Sequence, residues 1–183
     1  APRPLSRVQH KPIYLFTSHT YRICMRIPVS EVTPETGRAE ICGWVHEVRD
    51  LGGLVFYLVR DRSGIIQVTI PKKKVSQSVL ENIRDVSRES VVRISGQVKA
   101  IDKAPGGREM IPETFELISR STSPLPLDVV EKVPADLDTR LDSRFLDARR
   151  PRVTSVFSIR STVMRTVHEF LFQRGFIHIS TPK

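Results

Sequence analysis

Three runs and the two turns between them decide the fold: Ala39-Glu40-Ile41-Cys42-Gly43-Trp44-Val45-His46-Glu47-Val48-Arg49-Asp50, then Leu54-Val55-Phe56-Tyr57-Leu58-Val59-Arg60, then Ile65-Ile66-Gln67-Val68-Thr69-Ile70. The breaks are Leu51-Gly52-Gly53 and Asp61-Arg62-Ser63-Gly64. Runs dense in β-branched and aromatic residues, separated by Gly, Asp and Ser, predict consecutive strands joined by tight turns. In the third run Ile66, Val68 and Ile70 share one face, and Gln67 and Thr69 point to the other. Gly43 sits where a long strand bends or bulges. Trp44 reads as a core anchor of that bent strand.

Downstream the period changes. Val75, Val79, Ile83 and Val86 fall on one stripe of a short amphipathic helix within Val75–Ser87. A fourth strand, Val91–Ile101, places Val92, Ile94, Val98 and Ala100 inward and Arg93, Ser95, Gln97 and Lys99 outward. The turn Ala104-Pro105-Gly106-Gly107 leads into a fifth, Arg108–Ser119, whose register Pro112 leaves open by removing a ladder donor. Three strands, a helix and two strands is the element order of an OB-fold, a five-stranded all-β barrel that binds oligonucleotides on one face.

Ser121–Asp138 reads as a linker, held extended by Ser123-Pro124-Leu125-Pro126 and Val133-Pro134. Beyond it Val156, Ile159, Val163, Val167 and Leu171, with Phe170 beside them, keep helical spacing over about five turns. Gly175, after Arg174, has the character of a C-cap, and Phe176, Ile177 and Ile179 open an extended segment. The expected organisation is an extension over 1–24, an OB-fold domain over 25–120, a linker or hinge over 121–139 and a helical unit beginning at 140 and running to 183.

Composition narrows the class. A chain of 183 residues suits one domain, or one small domain with part of another. At 39% hydrophobic and 27% charged it has the makeup of a soluble globular protein, neither disordered nor fibrous, and no apolar run is long enough to span a bilayer. Cys24 and Cys42 form no C-x-x-C, and their scarcity fits a reducing, cytoplasmic compartment. The five histidines show no metal-ligand spacing. The net charge of +9 points to a polyanionic partner. It is unevenly spread, however: +4 over 1–24, +1 over 25–119 and +4 over 120–183. Residues 1–24 hold Arg3, Arg7, Lys11 and Arg22 without a single acid and sustain neither period. They read as a non-native or disordered extension before Met25, with a basic RNA-contacting arm as the rival reading.

Two stretches carry a resemblance. Gly43–Phe56, continued by Arg60-Asp61-Arg62-Ser63-Gly64-Ile65-Ile66-Gln67-Val68, resembles the anticodon-binding domain of class IIb aminoacyl-tRNA synthetases, aspartyl-tRNA synthetases most closely. Asp138-Thr139-Arg140-Leu141-Asp142-Ser143-Arg144-Phe145-Leu146-Asp147, Arg149-Arg150-Pro151 and Arg174–Lys183 are similar to the hinge and class II motif 1 of the same enzymes, and the texture of Val133–Arg150 leans to their archaeal or eukaryotic branch. The resemblance covers about Arg26–Lys183. It implies the N-terminal fragment, ending in motif 1, of a ligase that attaches aspartate to tRNA using ATP and Mg²⁺. The start of an α+β class II catalytic domain would then follow the barrel. The full-length enzyme would be a homodimer partnered by aspartate-specific tRNA, with asparagine-specific tRNA as a further partner and no membrane partner. No catalytic residue falls in this chain, and without motifs 2 and 3, which lie downstream, it is expected to be inactive by itself. A stand-alone single-strand binder, or the equivalent fragment of an asparaginyl- or lysyl-tRNA synthetase, are the alternatives.

The resemblance also assigns roles. Phe56 falls where the family stacks an anticodon base, beside the plain reading of a core phenylalanine; aromatic platforms hold about 1–3 kcal/mol per stacked base. Gln67 interrupts an apolar strand on its polar face, where an amide can both donate to and accept from an exposed base edge. Arg49 matches the family's anticodon arginine, against a strand-end ion pair with Asp50 or Glu47. Glu109 matches an anticodon-facing glutamate, with Glu113 as its rival, and a carboxylate there would serve specificity and not affinity. Lys72-Lys73-Lys74 is a solvated loop or a phosphate contact, as are Arg149, Arg150 and Arg152. Gly175, Phe176 and Pro182 match motif 1, a dimerisation element, while His178 stands where the closest relatives usually have an acid.

Overall fold

The computed structural model describes residues 26–180, so the expectations for residues 1–24 and for Pro182 lie outside the described residues. Five strands, β1 (Arg38–Asp50), β2 (Leu54–Arg60), β3 (Ile65–Pro71), β4 (Val91–Ala100) and β5 (Arg108–Ser119), close a barrel in the order β1-β2-β3-β5-β4. Helix α1 (Gln77–Ile83) lies between β3 and β4 in the chain. Neighbouring strands pair antiparallel except for a short parallel contact, Gln67 opposite Glu109 and Val68 opposite Met110, which closes the barrel. This is the OB-fold order that the sequence predicts.

Alternation fills the interior. Val55, Tyr57 and Val59 from β2, Ile66, Val68 and Ile70 from β3, and Val92, Ile94 and Val98 from β4 are all buried in one cluster. Each such aliphatic side chain contributes roughly 1.5–3 kcal/mol by leaving water. Ala100 is exposed, so the inward pattern of β4 stops at Val98. Helix α1 is shorter than Val75–Ser87, yet all four residues of the expected stripe join the core. Tyr57 ties helix to barrel: its hydroxyl donates to the Ile83 carbonyl at 3.0 Å, and burial pushes its pKa up to about 12.

Two strands carry an extra residue. In β1 the register against β2 slips between Val45 and Glu47, so His46 is the bulge and not Gly43. Gly43 serves a different need, because a Cβ there would sit 2.5 Å from the Arg60 carbonyl oxygen. Strand β5 slips twice against β4: at Glu113, between Pro112 opposite Gly96 and Thr114 opposite Ser95, and at Ile118, between Leu117 opposite Val92 and Ser119 opposite Val91. The open register around Pro112 is thereby settled. Gly96 lets the two backbones touch: a Cβ would lie 2.1 Å from the Ile111 oxygen.

The segment between β5 and the next helix is not an extended spacer. Leu127 and Val129 are buried against Leu146 in a second small core. Helices α2 (Leu137–Asp142) and α3 (Arg144–Asp147), which the linear reading did not separate, precede the long α4 (Pro151–Phe172). Asp147 is fully buried and gathers Arg140 at 3.0 Å, Arg150 at 3.3 Å and Arg144. The Arg140 hydrogen bond chiefly holds its carboxyl below the ordinary aspartate range. Helix α4 has the expected length, but only Val153 along it is buried; Val156, Ile159, Val163, Val167 and Phe170 are exposed. Gly175, at φ 81°, ends it as a C-cap should, its N–H donating to the Phe172 carbonyl. Residues 176–180 form no strand.

Barrel closure at Gly96 makes a direct prediction. Gly96→Ala is expected to lower stability in urea unfolding by about 2–3 kcal/mol through overpacking. Gly53→Ala, in an open turn with no atom near its Cβ, should change it by less than about 0.5 kcal/mol. Equal stabilities for the two variants would contradict the close β4–β5 approach.

Candidate nucleic-acid interface

The bulge at His46 decides which side chains reach the outer face of the barrel. Before it, Ala39, Ile41, Gly43 and Val45 point inward; after it the phase reverses, so Val48 turns in and Glu47 and Arg49 turn out. The loop after α1 secures the extra residue. Glu89 N–H donates to the Val45 carbonyl at 2.7 Å, and Val45 N–H donates to the Ser90 carbonyl at 2.9 Å. The His46 ring is itself buried, with Nδ1 3.0 Å from an Arg60 nitrogen. Burial first, and the Arg60 charge second, hold its pKa below the ordinary imidazole value. A guanidinium can only donate, so Nδ1 accepts from Arg60 in this contact.

On that face the registers line up two rows. Arg49, Phe56 and Thr69 stand opposite one another across β1, β2 and β3. Glu47, Leu58, Gln67, Glu109 and Lys99 form the next row, across all five strands. Phe56 is half-buried and absent from the core cluster, which removes the core reading for it. Gln67 Nε2 points at Glu109 Oε2 (3.4 Å) and Thr69 Oγ1 (3.3 Å), and Thr69 Oγ1 donates to Glu109 Oε2 at 2.6 Å. Glu113 pairs instead with Arg38 at 2.7 Å. Of the two candidate glutamates, Glu109 is the one beside Gln67.

Arg49 is exposed and donates to Glu47 Oε2 at 2.8 Å. The strand-end ion pair of the plain reading is thus real, and it coexists with a place on the same face as Phe56. Glu47 takes a second cation, Lys132, and the Lys132 and Arg49 hydrogen bonds hold its carboxyl below the ordinary range. Lys72 is committed to Asp50 at 2.9 Å, while Lys73 and Lys74 are exposed. An aromatic plate flanked by a guanidinium on one side and an amide–carboxylate pair on the other can stack a base and read its edge.

Trp44 is not a core anchor. It is half-exposed, and the Arg149 guanidinium lies over its ring at 4.9 Å. Arg149 also reaches the buried Glu89 at 2.8 Å, which Arg60 grips through both oxygens at 3.0 Å. Two of the three hinge arginines therefore face inward to carboxylates, Arg149 to Glu89 and Arg150 to Asp147 and Glu131, while Arg152 is exposed at the start of α4. Gly175 and Phe176 lie past the end of α4, apart from the rows above, and Phe176 is exposed. The linear pattern puts Thr69 on the polar face and makes Glu47 an ion-pair partner of Arg49, but gives neither a place in the site; it singles out neither Leu58 nor Lys132. Strand alternation would have given Leu58, the bulge puts Glu47 on this face, and Lys132 needed the tertiary fold.

Two family models match. Residues 39–118 match the OB-fold nucleic acid binding domain, and residues 136–183 match the tRNA synthetases class II (D, K and N). The two matches together place an OB-fold nucleic acid binding domain ahead of a segment of the class II (D, K and N) tRNA synthetases. Among curated proteins the chain is similar to aspartate–tRNA ligases. It is 67% identical over 159 residues to the aspartate–tRNA(Asp/Asn) ligase of Methanoculleus marisnigri, across 87% of this chain and 37% of that protein. It is 52% identical to the aspartate–tRNA(Asp) ligase of Pyrococcus horikoshii, across 84% and 36%. The chain thus spans little more than a third of the length of these relatives. Among solved structures, asparaginyl-tRNA synthetase from Pyrococcus horikoshii complexed with asparaginyl-adenylate superposes with a TM-score of 0.78 at 29% identity, covering 86% of this chain and 36% of that one.

The two faces of β2 give the prediction here. Phe56→Ala should cost less than about 1.5 kcal/mol of stability, because the side chain it removes is half-solvated. Tyr57→Ala should cost about 3–5 kcal/mol, since it empties the core and frees the Ile83 carbonyl. Calorimetry that found the two equal would return Phe56 to the interior.

Proposed function

We propose that the barrel recognises the anticodon of aspartate tRNA, within a larger enzyme that joins aspartate to that tRNA. The alignment of Arg49, Phe56, Gln67 and Glu109 on one outer face carries the reading. Phe56 stacks an unstacked loop base, Gln67 donates to and accepts from a base edge, and Arg49 bonds a base carbonyl or phosphate. Glu109, already aligned by Thr69, accepts from base amino or imino groups and so rejects loops lacking them. That its relatives include aspartate–tRNA(Asp/Asn) ligases beside aspartate–tRNA(Asp) ligases supports a second substrate. Asparagine tRNA would share the first two anticodon bases.

The larger enzyme would work in the cytoplasm with ATP and Mg²⁺, on residues of motifs 2 and 3 that no position here is assigned to supply. Its dimer would be built on motif 1, to which Gly175, Phe176 and Pro182 belong; the exposed apolar face of α4 supports that role. The extension, barrel, hinge and catalytic start are assigned to residues 1–24, 25–120, 121–139 and 140–183.

Binding to anticodon stem-loops tests the recognition. A GUC loop should bind more tightly than one altered at the middle U, and Phe56→Ala or Gln67→Ala should weaken it about five- to 100-fold, the range that one stacked base supplies. Equal affinity for any single strand would leave a generic binder. In a separate assay the 183-residue chain should show no aspartate-dependent ATP–pyrophosphate exchange; clear exchange above background would sink its predicted inactivity.

A further inference from the structure

Glu47 is a poor choice for a surface that must meet RNA. It stands in the same cross-strand row as Gln67 and Glu109, its side chain is only 13% exposed, and one oxygen already holds Arg49 at 2.8 Å. A carboxylate so covered requires a counter-ion. If Arg49 were the only one, its transfer to RNA would strand that charge beside a polyanion. The second counter-ion comes from the linker: Lys132 Nζ bonds the other oxygen. Its backbone is delivered by a fixed turn. Asp128 accepts from the Val130, Lys132 and Val133 N–H groups at 3.3, 2.8 and 3.1 Å, and Arg88 of the barrel pairs with Asp128 at 3.1 Å.

Resting on the proposed reading of this face, we infer that Lys132 is a positioning residue for anticodon recognition. It neutralises Glu47 from the linker side, and so releases Arg49 from Glu47 to the RNA. Lys132 does this without touching RNA, and the linker thereby becomes part of the recognition apparatus. The carboxyl group's depressed pKa, owed first to Lys132 and second to Arg49, agrees with that order of partners.

A double-mutant cycle on the full 183-residue chain tests it, with the GUC stem-loop as probe. Lys132→Met should weaken binding about three- to tenfold, the size of one exposed charge contact. Glu47→Gln alone should not weaken it. Glu47→Gln added to Lys132→Met should return affinity to within about twofold of Glu47→Gln. Additive losses would overturn the inference. So would a loss on Glu47→Gln matching that of Lys132→Met. If the native chain prefers the GUC loop and Gln67→Ala abolishes that preference, an additive cycle overturns the role of Lys132 alone. If no GUC preference exists, the function reading falls and this role falls with it.

Discussion

The backbone of β1 gains one residue at His46, and every side chain beyond it changes faces. Without that insertion Glu47 and Arg49 would point into a barrel already filled by Ile41, Val45, Val59 and their neighbours. A side-chain period of two leaves no intermediate arrangement. The bulge persists because the Glu89–Ser90 backbone takes up both hydrogen-bonding groups of Val45, and because Arg60 bridges the buried His46 ring and the Glu89 carboxylate. The composition of the candidate face follows from this local defect, stabilised by a loop more than forty residues away in the chain.

The face is then a matter of balance more than of positive charge. The barrel region carries nearly equal numbers of acids and bases, and the two rows alternate them: Arg49 with Glu47, Lys99 opposite Glu109. Such a surface gives little long-range attraction to RNA. It favours ligands whose bases satisfy specific donors and acceptors, since any carboxylate left unpaired beside phosphates is costly. In the proposed reading, stacking on Phe56 supplies affinity and the polar pairs supply selectivity.

The barrel was legible because its strands alternate strictly and its turns use Gly, Asp and Ser. Ile66, Val68 and Ile70 announce an inner face, and Phe56, Gln67 and Glu109 then fall on the outer one. What the linear pattern does not encode is where a strand is offset. Gly43 looks like a bulge and is a point of backbone contact, whereas His46, an unremarkable residue in sequence, is the bulge. The same limit applies to Trp44, whose size suggests the core but whose parity places it outside under Arg149. The linker's prolines suggested extension, yet Leu127 and Val129 find a partner in Leu146, a contact no local pattern specifies. The resemblance to synthetases supplied the roles of Arg49 and Glu109, which residue chemistry alone left open.

Glu89 bonds at once to Arg60, beneath the bulge, and to Arg149, which begins the approach to α4. One buried carboxylate thus belongs to two modules. A change at this position cannot be confined to either: it would loosen the strand that aims Arg49 and, in the same stroke, the seat of the segment leading into the class II unit. The two halves are therefore bound to vary together here. Exchanging the barrel for another of the same fold would require transplanting Arg60, the Glu89 loop and the Trp44 surface as a set, because the seam between the units runs through the barrel's own interior charges.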